Sequence, residues 1–399
     1  MPQAFEGLRI IDFTQVLAGP FAVLQLALLG AEVVKVEQPQ SGDQTRGLMN
    51  HGKNDGMSPS FLAMNPNKKS LTLNLKSPEA VKIVKQLVAS ADVVIENFKA
   101  GTMERLGLGF ATIKAIKPDI IFCSISGYGQ VGPKAGEAAY DGAIQAASGM
   151  MSQNGHPETG PTRTAYMPVD MSTALYAAFT ISAALFRRAN TGLGQRIDLA
   201  MMDTAIVLQA AQYSNYLNQG DLLGLLGNAS PTHQPTANVF ATSDGHIQVI
   251  ALRQHQVENL FEAIGAAEQL QKTKFATPKS RVSNKSEVSN IVSTALKRKS
   301  TQFWINSLAA LGIPVADIRE LPEVVEDPQL EYRGVFETFP SPLDKNTNIT
   351  IVKAGYILDR DGPEVHSQPP LLGQHTTEIL SSMGYSENQL AKLKQDGVI

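Results

Sequence analysis

The sequence predicts an α/β fold, with a large Rossmann-like domain on a mostly parallel sheet and a smaller α+β domain. Three observations predict it. Short apolar runs alternate with helix-period segments through the first 125 residues, a repeated β-α-β order that calls for a parallel sheet with helices on both faces. A second strand–helix stretch follows a long uncharged segment at 171–186. Composition then breaks at 218–236, "NQGDLLGLLGNASPTHQPT", which is rich in Gly, Asn, Pro and Thr and has no period. With 399 residues, 43% of them hydrophobic, the chain is long enough for two or three domains.

The elements follow in order. "LRIIDF" is a strand, and "TQVLAGP" a loop whose Pro20 opens the helix "FAVLQLALLG", ended by Gly30. "AEVVKVE" is the next strand. "SLTLNLK" alternates Leu71, Leu73 and Leu75, the period of a strand with one apolar side. Ser77-Pro78-Glu79 supplies a cap, a first-turn proline and an acid for the amphipathic helix "AVKIVKQLVASA". "DVVIEN" and "DIIFCSIS" are further strands, with helical segments at "ERLGL" and "ATIKAIK" between them.

The run from Met171 to Phe186 has no charge and reads as a fully buried helix, with Asp170 directly ahead of it as an N-cap. "GQRIDLAM" and "MDTAIVLQAAQYSNYL" add a strand and a helix. The expected division is therefore a large domain over 1–217, a linker at 218–236, a small domain over 237–325, and a return segment at 326–399. The small domain should hold a hairpin turning at Ser243-Asp244-Gly245 and helices at 254–265, 287–298 and 301–311.

Composition excludes several functions. A net charge of −3 without a long basic tract argues against nucleic acid. The single cysteine, Cys123, rules out an internal disulfide framework and a thiolate zinc cluster. The seven histidines show no metal-binding spacing, and no G-x-S-x-G elbow is present. The uncharged run falls short of the roughly 20 residues that span a bilayer. No signal peptide is visible, so the expectation is a cytoplasmic protein without a membrane partner.

Some motifs carry chemistry. In "GYGQVGP", Gly127, Gly129 and Gly132 match G-x-G-x-x-G, but Pro133 follows and no helix opens in register, so a dinucleotide site is not expected. The loop can instead approach a ligand closely or serve as a plain turn. "ENFKAG" stands at the carboxyl edge of a parallel sheet, where open α/β folds bind ligands. Asn97 there offers an amide, Phe98 a ring and Arg105 a cation, a set suited to an adenine nucleotide or to a solvated turn. Lys68, Lys69 and Lys76 can meet phosphates or form a solvated edge. Asp170 can cap its helix and also act as a nucleophile, since a helix N-terminus favours the ionised carboxylate.

Several segments together resemble a known family. "LRIIDFTQVLAGPFA", "GAEVVKVEQP", "NPNKKSLTLNLK", "ENFKAGTMERLGLG", "ISGYGQVGP", "YDGAIQAASGMM", "PVDMSTALYAA" and the C-terminal "PPLLGQHTTEILSSMGYSENQLAKLKQDGVI" are similar to the class III coenzyme A-transferases, the formyl-CoA and carnitine CoA-transferase family. The resemblance implies two ring-like subunits interlocked as a homodimer, with no tightly bound cofactor. It implies an acyl-CoA donor and a carboxylic acid acceptor. It puts the catalytic aspartate at Asp170 and CoA contacts at Val16, Ala18, Gln38, Leu73, Lys76, Asn97, Phe98 and Arg105, with Tyr140 at the active site. The implied mechanism runs through an aspartyl anhydride and an aspartyl-CoA thioester, with main-chain N–H groups of 127–132 facing the oxyanions.

The chain departs from the formyl-CoA transferases in two places. Leu17 stands where they carry glutamine, with Gln15 nearby, and Ala251, Leu252 and Arg253 stand near their small-domain glycine run. Formate and oxalate are therefore doubtful substrates, and Arg253 can pair with the second carboxylate of a dicarboxylic acid. Specificity is expected in the small domain and in the loop at 46–60. The alternatives are an α-methylacyl-CoA racemase, which would need histidine where Tyr140 stands, and a CoA-binding protein without activity.

Overall fold

The computed structural model describes residues 2–48 and 56–399, so the middle of the 46–60 loop, residues 49–55, lies outside the described residues. Two compact units emerge. The first comprises 1–148, 164–210 and 328–399, and the second 149–163 and 211–327.

The first unit is built on six parallel strands: β1 (Arg9–Asp12), β2 (Glu32–Glu37), β3 (Lys68–Thr72), β4 (Val93–Glu96), β5 (Ile121–Ser126) and β6 (Gln195–Ala200). Their order is β3-β2-β1-β4-β5-β6, and Ile11 of β1 lies between Val34 and Val94. β1, β2, β4 and β5 are buried almost throughout because both faces of the sheet are covered there, whereas β6 keeps exposed positions between its buried ones. Ile11, Val34, Leu71, Val94 and Phe122 share a core with the helix at Pro78–Val88. The free edge of β3 is closed by the C-terminal segment. His375 N donates to Ser70 O at 3.0 Å, while Ser70 N donates to His375 Nδ1 and Thr72 N to Thr376 Oγ1. An edge strand is thus covered without a seventh strand.

Two helices frame the functional edge. α1 (Ala18–Ala27) has Leu17 as its N-cap, so Pro20 is its third residue rather than its first. α2 (Pro168–Thr191) packs against α1. It is longer than its uncharged run because it continues through Arg187 and Arg188, and its 24 residues are long and apolar enough to cross a membrane. The expectation of a fully buried helix is not met. Val169, Thr173, Ala177, Ile181 and Ala184 form the buried face, whereas Phe179 and Phe186 are 68% and 74% exposed. An uncharged sequence is not the same as burial on all sides.

Residues 149–163, expected in the large domain, belong to the second unit. A small hairpin pairs Gly155 with Pro161, Asn154 Nδ2 donates to Thr162 O at 2.8 Å, and Gly227 N donates to Gly155 O at 2.8 Å. The helix Ala210–Gln219 overlaps the start of the expected linker, and 218–236 lies inside this unit. Strands Ala237–Ala241 and His246–Ile250 form the hairpin, joined by a third strand, Val315–Asp317, too short to show a period. The helices Gln254–Ala263, Lys285–Leu296 and Thr301–Ala309 pack on them around Phe240, Val249, Leu260, Val292 and Trp304.

Beneath α1 the first unit buries a group of charges. Lys35 Nζ lies 2.9 Å from Asp43 Oδ2, Lys68 Nζ 3.2 Å from Asp12 Oδ2, and Arg46 grips Glu37 with two bonds of 2.7 Å. Burial lowers the Lys68 ammonium to about 8, against the pull of Asp12. Arg46 also stacks on Phe61 and donates to Pro370 O. Arg46→Ala should cost about 3–5 kcal/mol, because Glu37 would be left buried without its cation. Urea unfolding of the variant measures this, and a loss under 1 kcal/mol would contradict it.

Candidate active site

Strand β1 is the switch point of the sheet, since β2 and β4 lie on its two sides and the chain leaves it in opposite directions. The crevice outside the carboxyl ends at such a point is where open α/β sheets bind ligands. A pocket of about 360 Å³ opens there. Its wall is formed by Val16 and Ala18 after β1, Asn97 and Phe98 after β4, Gly127 and Tyr128 after β5, and Met201 after β6, together with Tyr140 and Asp170.

Asp170 reaches this pocket from the first turn of α2, but it is not the helix cap. The N-cap is Met167, which offers no side-chain acceptor. The acceptor comes from elsewhere: Asp141 Oδ2 receives the N–H groups of Val169 at 2.8 Å and Asp170 at 3.0 Å. Asp141 is buried and is itself held by Gln145 Nε2 at 2.5 Å. Among the described residues no donor reaches the Asp170 carboxylate. Its burial, and then the negative charge of Asp141, push its carboxyl up to about 7. The expected preference for the ionised form is reversed, first by burial and then by the neighbouring Asp141 carboxylate.

The loop after β1 is gripped by side chains. Asn97 Oδ1 accepts from Gln15 N at 2.9 Å, and its Nδ2 donates to Gln15 O at 2.7 Å. Both ends of this amide are therefore used within the protein, not offered to a ligand. Glu96, pushed up to about 7 mainly by burial, accepts from Phe98 N. In the glycine loop, Gly127 is needed because a Cβ there would lie 2.2 Å from Ala139 Cβ. Gly129 N donates to Ser126 Oγ and Gln130 N to Asp198, so these N–H groups are committed. Of residues 127–132, Gly127, Tyr128 and Gly129 line the wall, whereas 130–132 lie outside it.

The structure brings Val16, Ala18, Asn97, Phe98, Tyr140 and Asp170 together. Gln38, Leu73, Lys76 and Arg105 are not in the wall. Leu73 is a core side chain at 1% exposure, and Arg105 donates to Thr102 Oγ1. Gln38 and Lys76 are exposed beyond the ends of β2 and β3. Arg253, in the second unit, is exposed, and its guanidinium has no partner among the described residues. Cys123 is buried, and burial raises its thiol far above the usual range. Asp141, Lys35 and Asp43 were missed as supports of the site. The available signal was a charge inside the apolar run "EVVKVE" and an acid directly after Tyr140.

Residues 5–376 match the CoA-transferase family III. The chain belongs to that family. It is 35% identical to the succinyl-CoA:glutarate CoA-transferase of Homo sapiens, over 99% of this chain and 89% of that protein. It is 33% identical to the formyl-CoA:oxalate CoA-transferase of Streptomyces avermitilis, over the full length of both. A CAIB/BAIF family protein from Brucella suis superposes with a TM-score of 0.85 at 32% identity, covering 96% of this chain and all of that one. The protein is thus a class III CoA-transferase, an enzyme acting on acyl-CoA and carboxylic acids.

Two predictions follow from the carboxylate pair. An acid whose folded pKa lies above its unfolded value of 3.8 binds more protons in the folded state, so stability falls as pH rises from about 4 to 7. Asp170→Asn should therefore raise Tm at pH 8 and change it little at pH 4. Asp141→Asn retains an acceptor for the helix N–H groups but removes the charge. An NMR titration of the Asp170 carboxyl carbon should then show a lower pKa, and an unchanged value would exclude Asp141 as a cause.

Proposed function

We propose that this enzyme moves CoA between dicarboxylic acids by covalent catalysis on Asp170. The observation that carries the reading is an unpartnered carboxylate in the switch-point pocket of a family III CoA-transferase. Asp170 attacks the donor thioester carbonyl, the new C–O bond forms as the C–S bond breaks, and CoA thiolate leaves an aspartyl anhydride. The thiolate attacks the aspartyl carbonyl, forming an aspartyl-CoA thioester and releasing the donor carboxylate. The acceptor carboxylate attacks that thioester, giving a second anhydride and thiolate, which then attacks the acceptor carbonyl. Asp170 is regenerated, with no net consumption of water or protons. A carboxylate suits this role because its anhydride keeps the acyl group activated.

Two features support a nucleophile of this kind. Burial strips water from the carboxylate, and the absence of donors among the described residues leaves its oxygens free to attack. The dicarboxylic class is supported by the relative whose name pairs succinyl-CoA with glutarate, since both acyl groups derive from dicarboxylic acids. We read the exposed apolar face of α2, with Leu175, Phe179 and Phe186, as support for the homodimer that the family resemblance implies.

Incubation with succinyl-CoA followed by hydroxylamine should convert Asp170 to its hydroxamate, detectable by peptide mass spectrometry, and Asp170→Asn should abolish both label and transfer. Full transfer by the variant would sink the mechanism. Across an acceptor panel, glutarate and its homologues should exceed monocarboxylic acids of equal length in kcat/KM. Sedimentation should give a dimer that Phe179→Glu weakens.

A further inference from the structure

The pocket wall contains one backbone conformation that its residue type disfavours. Val16 has φ +70°. Among the described residues the other non-glycine positions with positive φ are Asn67, His233 and Asp361, types that tolerate the left-handed region, whereas for a β-branched residue it is a genuine outlier. Such strain persists only where the surroundings over-determine it.

The surroundings here do so with side chains alone. Thr14 N donates to Asp12 Oδ1 at 2.8 Å, and Thr14 O accepts from Lys35 Nζ at 2.7 Å. Asn97 bonds both the N–H and the C=O of Gln15. Val16 N donates to Asp43 Oδ1 at 3.2 Å, and Asp43 is anchored by Lys35 and by both donors of Thr45. The turn is thus bolted to the buried charges on one side and to the end of β4 on the other. Of these contacts, the Asn97 amide is the only one made by a residue that also lines the pocket, and it carries no charge.

We propose that Asn97 is a positioning residue whose amide, closed on both backbone groups of Gln15, holds Val16 left-handed and so shapes the acyl-CoA wall of the pocket. The inference rests on the CoA-transferase reading of this site. It differs from a ligand-contact role, because the amide's work is done on Gln15. Without the clamp, Val16 relaxes to negative φ and the wall from 15 to 18 shifts relative to Asp170. Glycine at position 16 would adopt the left-handed conformation freely, so it would need the clamp less.

A double-mutant cycle tests this. Asn97→Ala should lower kcat/KM for acyl-CoA roughly 5- to 100-fold, the strain of one left-handed residue expressed as a rate. In a V16G background the same substitution should cost at least threefold less. Equal losses in the two backgrounds would overturn the proposal. A crystal structure of N97A reads the clamp without substrate: Val16 should have left the positive-φ region, and an unchanged φ with an intact turn would also overturn it. Should N97A not fold, Asn97→Asp keeps the acceptor for Gln15 N, removes the donor to Gln15 O, and is read the same way. If the wild-type enzyme transfers no CoA, the functional reading fails, while the structure of the variant still decides the clamp.

Discussion

The buried Lys35–Asp43 pair is the constraint on which the functional edge depends. Lys35 stands in the middle of a strand whose neighbours are valines, with no exposure to water. Burial acts to strip its proton, but the carboxylates of Asp43, Asp12 and Glu37 outweigh that and hold it charged. A pair buried in this way is weak evidence for net stability, because desolvation offsets most of the attraction. Its effect here is geometric. One ammonium fixes Thr14 O, and its partner carboxylate fixes Val16 N, so the turn leaving β1 has little freedom. α1 begins two residues later and packs on the helix that carries Asp170.

The second constraint concerns division of labour between two aspartates. A helix N-terminus has orphan N–H groups that a carboxylate satisfies well. If Asp170 used its own oxygens for this, it would be tied to the backbone and stabilised as the anion. Asp141 takes over the capping, which leaves Asp170 open to the pocket beside a like-charged carboxylate. The helix is stabilised by one residue while the other remains chemically available. Strain at Val16 and the desolvated Asp170 lie on the same pocket wall, consistent with stability being given up where function needs a defined geometry.

The fold was largely legible because periodicity records burial. Apolar or alternating runs marked β1 to β6, and the glycine- and proline-rich stretch marked the change of unit, although its edge fell several residues away and residues 149–163 joined the other unit. That segment pairs through a two-residue hairpin and backbone bonds, which have no sequence period. The expectation of a wholly buried α2 failed because absence of charge does not distinguish a core face from an exposed apolar one. Within the site, the wall residues were readable from motifs, whereas Leu73 lies outside the wall. Its backbone follows β3 at the correct edge, but strand alternation turns its side chain into the core.

By itself the sequence determined the α/β class, the parallel sheet, the family and the identity of the carboxylate at issue. Each depends on local pattern or on residue identity at matched positions. Only the tertiary structure decided that Asp141, twenty-nine positions earlier, caps the helix, that Asn97 spends its amide on Gln15, and that Lys35 and Asp43 hold the turn. These are pairings between distant segments, and no local period encodes which polar group will meet which once the chain is packed.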